Sequence, residues 1–298
     1  MMYHEPVLLQ ECIAGLNIKP DGNYVDVTFG GGGHSKEILK HLNTGKLVAF
    51  DQDADAISNI PEDNRLIFVQ HNFRFLKNFL KYYGLLQIDG LLADLGVSSH
   101  QFDVADRGFT FREDATLDMR MNRNAKTSAS TVINEYSEAQ LADVFYYYGE
   151  IQNARRLAGV ITKARAIEPI ATSGQLLQII KICTPSYHEN KYLAQAFQAL
   201  RIEVNGELDA LKSMLLQAEE MLKPGGRIVV LTYHSLEDRL VKNFFKTGNF
   251  EGKPDKDFFG KLKTTFKQIN KNVIVPDEAE IKRNSRARSA KLRIAEKL

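Results

Sequence analysis

The stretch Asn23-Tyr-Val-Asp-Val-Thr-Phe-Gly-Gly-Gly-Gly-His34-Ser35 decides the fold of this 298-residue chain. Its first seven residues are rich in the aromatic and β-branched types that suit a buried strand. Four glycines end that strand, and the apolar residues that follow recur at helical spacing, with Ser35 as the expected N-cap. A second strand, residues 46–50, ends at Asp51. Strand, glycine turn, helix and strand, with a carboxylate at the second tip, predict half of a nucleotide-binding α/β unit.

The glycine turn and Asp51 together point to a nucleoside cofactor. Residues without Cβ let the backbone approach a ligand, and the free N–H groups near Gly33 and His34 can bind a carboxylate or phosphate. Asp51 can accept both hydroxyl protons of a ribose. The dinucleotide fingerprint fits poorly because its third glycine would fall at Ser35, and no Lys-Ser or Lys-Thr pair follows the glycines as in a P-loop. The alternative is a flexible surface turn, which a glycine run alone would favour.

Composition places the chain among ordinary globular proteins, with 44% hydrophobic and 26% charged residues. It has no apolar run as long as a membrane span and no signal-peptide pattern at its start, so a cytoplasmic location without membrane contact is expected. Cys12 and Cys183 lie far apart and outside any metal spacing, which predicts buried thiols and no metal site. Residues 252–298 carry a net charge of +7 and the remainder −5, which suggests a polyanionic partner.

The rest of the chain divides into an α/β part and a helical part. A stretch of helical periodicity with little strand character predicts an inserted all-helical domain for substrate recognition, residues 106–200. Residues 1–105 and 201–298 are then the α/β domain. Its further strands are predicted at residues 65–70, 88–92, 227–232, 265–269 and 290–296.

Five predicted strands finish in polar or glycine-bearing tips, and ligands gather at that edge of a parallel sheet. Phe73 is placed either to stack on a base or to fill the core, with neither favoured. S-adenosyl-L-methionine fits such a site better than NAD, because it offers a carboxylate and an amine where NAD offers a pyrophosphate. The tips are residues 30–34, Asp51, residues 72–73, residues 94–99 and residues 234–235.

Eight motifs, in this order along the chain, resemble one family, the bacterial methyltransferase H family, which methylates N4 of a cytidine in the decoding centre of 16S rRNA. The resemblance runs from Met1 to Leu298 and departs at Gly31, where some members carry Arg, and at His100, often Pro. It implies a Rossmann-like, S-adenosylmethionine-dependent methyltransferase domain with an inserted helical domain, acting in the cytoplasm on the assembled small subunit. The motifs are residues 28–35, 94–101, 107–109, 117–121, 197–202, 205–208, 234–239 and 286–289.

For such an enzyme we expect a direct, in-line methyl transfer from the cofactor to N4, without a covalent enzyme intermediate. Asp94 or Ser98 is the expected acceptor for an N4–H, although the Asp/Asn-Pro-Pro-aromatic tetrad of many amino-methyltransferases is replaced here by Asp94-Leu-Gly-Val. His234 either orients the base or accepts the proton, or is only a hydrogen-bonded histidine at a strand end. The implied cofactor residues are Gly32, Gly33, His34, Asp51, Phe73, Asp94 and Gln101.

Contact with RNA is predicted from two basic clusters, for which a solvated charge run is the alternative. Tyr146, Tyr147 and Tyr148 either stack on bases or enter a helical core. Two other functions stay open: methyl transfer to another acceptor, such as DNA, a different rRNA base or a protein, and a non-catalytic RNA-binding assembly factor. The first cluster is Lys282, Arg283, Arg286, Arg288, Lys291 and Arg293; the second is Arg107, Arg112, Arg120 and Arg123.

Overall fold

A computed structural model describes residues 6–111, 113–185, 189–260 and 262–298. The chain forms two compact units. The first comprises Met1–Gly96 and Leu208–Leu298, and the second comprises Val97–Glu207.

The first unit is built on a seven-stranded sheet with the order β3-β2-β1-β4-β5-β7-β6. The first five strands in this order are parallel, whereas β7 runs antiparallel to both of its neighbours. The predicted Rossmann-like α/β fold is confirmed. The strands are β1 (Tyr24–Asp26), β2 (Leu47–Asp51), β3 (Leu66–Gln70), β4 (Ile88–Asp94), β5 (Leu222–Thr232), β6 (Phe266–Gln268) and β7 (Lys291–Lys297).

The central strands are mostly apolar because both faces of the sheet are covered. Successive side chains of a strand point to opposite faces, so neighbouring residues enter different cores. One core contains Val25, Val48, Leu91 and Ile228, and the other contains Tyr24, Leu47, Leu92 and Val229. This two-sided burial fixes the register of the strands and therefore the positions of the polar residues at their ends.

Helices α1 to α3 of the first unit precede the second unit, and α10 to α12 follow it. The start of α2 differs from prediction: its N-cap is Gly32, and Ser35 lies inside the helix. Ser35 Oγ donates to Asp26 Oδ2 at 2.7 Å, so a buried carboxylate has taken the hydroxyl that was expected to cap the helix. The helices are α1 (Leu9–Leu16), α2 (Gly33–Lys40), α3 (Leu76–Tyr82), α10 (Glu207–Met221), α11 (Ser235–Thr247) and α12 (Glu278–Arg283).

The second unit consists of helices around one apolar core that includes Leu141, Phe145, Leu157 and Leu200. Across its described residues, the only β pairing is an isolated bridge between Thr116 and Thr172. Its helices are α4 (Ser99–Asp103), α5 (Ala129–Glu135), α6 (Glu138–Tyr147), α7 (Ala154–Arg165), α8 (Ser173–Lys181) and α9 (Glu189–Asn205).

The second unit extends beyond residues 106–200, the boundaries expected from sequence, at both ends. Helix α4 lies before residue 106 and packs on the 3-10 turn Ala105–Arg107. Helix α9 passes residue 200 without a break and ends at Asn205. Because the interior of a continuous helix is not a linker, the chain leaves this unit only after α9. Among the described helices, none has the length and apolar character needed to span a membrane.

Candidate active site

The tips of β1, β2 and β3 are tied together by hydrogen bonds around Asp51. Asp51 Oδ2 accepts from the backbone N–H of Gly30 at 2.7 Å, and Oδ1 accepts from that of Asp53 at 2.9 Å. Beside them, Asn72 Nδ2 donates to Gln52 Oε1 at 2.9 Å and so joins β3 to β2. The Asp51 carboxylate therefore has a fixed orientation at the edge predicted to bind a ligand.

The electrostatics of Asp51 are unusual for an aspartate. Burial raises the pKa of Asp51 to about 6, and the negative charges of Asp53 and Asp26 add to this rise. The hydrogen bonds from the two backbone N–H groups act in the opposite direction and lower the pKa. A buried carboxylate that already accepts two N–H bonds still has unused lone pairs. Hydroxyl donors from a ligand would favour its ionised form.

The glycine turn has no space for side chains at the positions where the backbone must come close to a ligand. Gly32 has φ +76°, and a Cβ there would lie 2.8 Å from the Phe29 ring. At Gly33, a Cβ would lie 2.2 Å from Pro6 Cγ. No side chain caps helix α2, which leaves the N–H groups at its start available to an anion. The turn thus fits the carboxylate of an amino-acid-bearing nucleoside.

Asp26, at the end of β1, was missed as part of the site by the sequence analysis. It is 1% exposed and accepts hydrogen bonds from Ser35 Oγ, at 2.7 Å, and from the backbone N–H of Thr28, at 3.0 Å. These bonds fix the strand end to the first turn of α2. A polar residue inside an otherwise apolar strand was the signal that could have identified it.

Asp94 and His34 are brought together at the end of β4. Asp94 Oδ2 lies 3.7 Å from His34 Nδ1, and the Asp94 side chain is 24% exposed. Burial raises the pKa of Asp94, whereas the nearby His34 and the hydroxyl of Tyr233 lower it. Tyr233 was absent from the predicted site, although its hydroxyl donates to Asp94 Oδ1 at 2.6 Å.

Phe73 lies just past β3, at the start of a 3-10 turn capped by the Asn72 side chain. It is half-buried and packs against the core of the first unit. Its ring thus serves the core in part while one portion stays accessible at the ligand edge of the sheet. Both roles considered from the sequence are compatible with this position.

Ser98 and Gln101 belong to the second unit, where they form the capping box of α4. Ser98 Oγ accepts from the backbone N–H of Gln101 at 3.2 Å, and Gln101 Oε1 accepts from that of Ser98 at 3.1 Å. Gln101 is 4% exposed. The structure therefore gives both residues a helix-capping role, and their expected roles toward cofactor and substrate stay predictions.

His234 is the N-cap of α11. Its Nδ1 accepts from the backbone N–H of Glu237 at 3.5 Å, and its Nε2 lies 3.2 Å from Glu237 Oε1 without hydrogen-bond geometry. The ring is thus held against the first turn of α11, as in the alternative of a hydrogen-bonded histidine at a strand end.

Comparison with known proteins agrees with this geometry. The sequence profile of the MraW methylase family matches residues 1–298. The chain belongs to this family. Its cofactor is S-adenosyl-L-methionine, and the predicted Rossmann-like methyltransferase class is confirmed.

Two curated relatives have the name ribosomal RNA small subunit methyltransferase H. That of Parabacteroides distasonis is 60% identical over 298 residues, covering 99% of this chain and 98% of the relative. That of Flavobacterium johnsoniae is 58% identical over 299 residues, covering 100% of this chain and 99% of the relative. A solved rRNA methylase from Streptococcus thermophilus is 11% identical with a TM-score of 0.42, covering 100% of this chain and 99% of that one.

Proposed function

We propose that this methyltransferase acts in the cytoplasm on N4 of a cytidine in the decoding centre of 16S rRNA, within the assembled small ribosomal subunit. Support comes from the full-length family match and from relatives named for small-subunit rRNA. The observation on which the proposal chiefly rests is that Asp51, the uncapped start of α2 and Asp94 occupy neighbouring tips of one sheet.

Each group at this edge has a role that follows from its chemistry. The N–H groups of Gly33 and His34 would hold the carboxylate of the cofactor, and Asp51 would accept its ribose hydroxyls. Phe73 would stack on the adenine. When bound, S-adenosylmethionine supplies an electrophilic methyl group. The residues of this chain orient it and exclude water, and such positioning is worth about 7–11 kcal/mol in well-ordered reactions.

The acceptor amine is the difficult partner in this reaction. The N4 lone pair of cytosine is conjugated with the ring, so an acceptor that binds one N4–H favours the pyramidal nitrogen needed for attack. Asp94 is an ionisable acceptor at a strand tip, with part of its side chain accessible. Ser98 is the second candidate, but its hydroxyl already caps α4. The cytidine must leave its stack to enter such a site.

The C-terminal basic segment is the best candidate for RNA contact, but only part of it is available. Arg293 Nε donates to Asp238 Oδ1 at 2.6 Å, and Lys291 lies 3.5 Å from the same carboxylate. These two cations are therefore committed to the fold. Lys282 and Arg288 are exposed and remain candidates for phosphate contacts.

The basic segment is anchored beside the glycine turn. Glu280 Oε1, in α12, accepts from the backbone N–H of Leu8 at 2.8 Å. The preceding residue, Val7, has its carbonyl oxygen 3.1 Å from His34 Nε2. Because these contacts link α12 to the start of α2 through two adjacent residues, phosphates bound near α12 would lie close to the cofactor edge.

The second predicted basic cluster does not form an RNA surface as a whole. Arg107 is 2% exposed and donates to the carbonyl oxygens of Arg120 and Met121, so the prediction was wrong for this residue. The guanidinium of Arg120 pairs with Asp118. Arg123 is exposed, and Arg112 lies outside the described residues.

Recognition of the substrate by the helical unit is supported by its aromatic surface. Tyr146 and Tyr147 are 51% and 62% exposed, and their rings contact each other edge to face at 5.2 Å. Tyr148 instead packs against the core of this unit, which is the second of the two positions considered from the sequence. Exposed aromatic rings are the groups on which unstacked RNA bases lie.

The test is to incubate the protein with radiolabelled S-adenosylmethionine and small subunits from a strain that lacks the modification, and then to identify the labelled nucleoside. Label in N4-methylcytidine of 16S rRNA supports the proposal. Label in another nucleoside, in DNA or in protein would support the alternative acceptors. Subunit binding without transfer, and without cofactor binding in calorimetry, would favour a non-catalytic assembly factor. An Asp51→Ala variant controls for adventitious transfer.

A further inference from the structure

Tyr233, directly after β5, holds one oxygen of Asp94. Its hydroxyl donates to Asp94 Oδ1 at 2.6 Å. The two residues meet because β5 pairs in parallel with β4, with Leu231 opposite Asp94. Burial, and then the charge of Asp94, raise the pKa of Tyr233 well above its usual range, so the hydroxyl stays a donor at neutral pH.

His34 faces the second oxygen of the same carboxylate. Its Nε2 lies 3.1 Å from the carbonyl oxygen of Val7, and because a carbonyl only accepts, the ring proton is on Nε2. Nδ1 of the same ring lies 3.7 Å from Asp94 Oδ2, beyond hydrogen-bond distance. The two side chains are therefore neighbours, and Oδ2 is the oxygen of Asp94 that the Tyr233 hydroxyl leaves uncovered.

The main chain of Asp94 is fixed as well. Its backbone N–H donates to Thr28 Oγ1 at 2.7 Å, and Thr28 Oγ1 in turn donates to Asp26 Oδ1 at 3.3 Å. Asp94 is therefore held at its backbone and at Oδ1, while its side chain keeps an accessible portion. Such double fixation is what a proton acceptor needs for a defined geometry.

We propose that Tyr233 is a positioning residue for methyl transfer, because by occupying Asp94 Oδ1 it directs Oδ2, beside His34, to the amino group of the acceptor base. This inference rests on the proposed function. In the step it serves, the amino nitrogen forms a bond to the methyl carbon with its lone pair. The carbon–sulfur bond breaks with its electrons left on sulfur. One proton of the amino group passes to Asp94 Oδ2.

The Tyr233→Phe variant tests this role, since it removes one hydroxyl and keeps the ring. We expect kcat to fall about tenfold, as for loss of a hydrogen bond to a charged group, with both KM values changed less than about twofold. The acidic limb of the kcat–pH profile should move to higher pH by about one unit, because the hydroxyl stabilises the charged carboxylate. Tyr24→Phe is the matched control: Tyr24 is a buried residue of β1 in the same sheet, and its hydroxyl accepts from the backbone N–H of Lys19, in the loop before β1, at 2.7 Å.

If Tyr233→Phe and Tyr24→Phe both lowered kcat and left the acidic limb of the kcat–pH profile in place, the role of Tyr233 would be merely structural. That result would overturn the inference. An unchanged kcat in Tyr233→Phe would overturn it equally. The Asp94 carboxyl pKa is also measured by carbon NMR without substrate, where the variant should show a higher value. An unchanged value there refutes the hydrogen bond itself. Failure of the proposed function has a different signature, since the wild type would then label an acceptor other than N4 of cytidine.

Discussion

The Asp51→Asn variant tests whether the carboxylate at the end of β2 holds the cofactor ribose. Its two oxygens accept from the N–H groups of Gly30 and Asp53, at 2.7 Å and 2.9 Å. An amide at this position must turn its NH₂ group toward one of these donors, which replaces a hydrogen bond by a contact between two donors. The cofactor ribose would also lose its charge-assisted hydrogen bond to the carboxylate. Such a loss costs about 1.5–3 kcal/mol, so the Kd for S-adenosylmethionine at pH 8 should rise about 10- to 150-fold.

The same carboxylate should make cofactor binding depend on pH. Burial raises the pKa of Asp51 to about 6 in the free protein. A ligand that donates hydroxyl groups to the carboxylate lowers this pKa, so binding below pH 6 must release a proton. Affinity is therefore greatest well above pH 6 and falls as the pH decreases through 6. At pH 5 the Kd should be about tenfold higher than at pH 8, which corresponds to ~1.4 kcal/mol.

Isothermal titration calorimetry between pH 5 and 8, in two buffers of different ionisation enthalpy, measures both the Kd and the proton released. Asp51→Asn should abolish most of the pH dependence. Glu62→Gln is the control, because Glu62 is an exposed acid in the loop that precedes β3. If Asp51→Asn kept the wild-type Kd and the wild-type pH dependence, the role of Asp51 in cofactor binding would be refuted.

Three further predictions concern the glycine turn and the arginines. Gly32 and Gly84 both have positive φ, but of these two only Gly32 would bring a Cβ against a ring. Gly84→Ala should therefore lower the free energy of unfolding in urea by about 1 kcal/mol, and Gly32→Ala by about 2 kcal/mol or more. Arg288→Ala should weaken binding to the small subunit and reduce the salt dependence of that binding, with the free energy of unfolding unchanged. Arg293→Ala should instead lower the free energy of unfolding by about 2–3 kcal/mol, because Arg293 belongs to a largely buried ion pair. Arg107→Ala should cost about 3 kcal/mol of unfolding free energy, because its buried guanidinium bonds to two backbone carbonyls, and should leave the salt dependence of binding unchanged.

Each of these predictions has a contrary result. Equal losses for the two glycine variants would mean that the ring near Gly32 moves aside. A wild-type salt dependence in Arg288→Ala would exclude that residue from phosphate contact. If Arg107→Ala reduced the salt dependence of subunit binding at a temperature where the variant is folded, Arg107 would contact RNA after all.

Strands β2, β3 and β4 and the glycine turn were predictable because local composition determines them. Short apolar runs bounded by turn residues produce these three strands within one or two residues of their predicted bounds. The turn was predictable because consecutive glycines have few other uses between a strand and a helix. The family, its cofactor and its fold class were likewise recognised from motifs and are confirmed.

Other features depend on contacts between distant residues and could not be read from the sequence. Asp94 and Tyr233 are 139 positions apart, and only the pairing of β4 with β5 brings them together. Ser35 resembled an N-cap because the competing carboxylate of Asp26 belongs to the preceding strand. Arg107 lies in a stretch with other charged residues, and nothing in that spacing reveals that its partners are buried carbonyl oxygens. Roles of individual residues toward cofactor and RNA stay predictions.

The place where the helical unit interrupts the sheet has a consequence for the order of folding events. Strands β4 and β5 are hydrogen-bonded neighbours, yet the whole of Val97–Glu207 lies between them in the chain. Joining the two strands directly from the unfolded chain would have a high entropic cost of closing one long loop. Helices form through local contacts and therefore collapse sooner. We expect the inserted segment to fold early. Once folded, it shortens the flexible chain between β4 and β5, so that these two strands pair last.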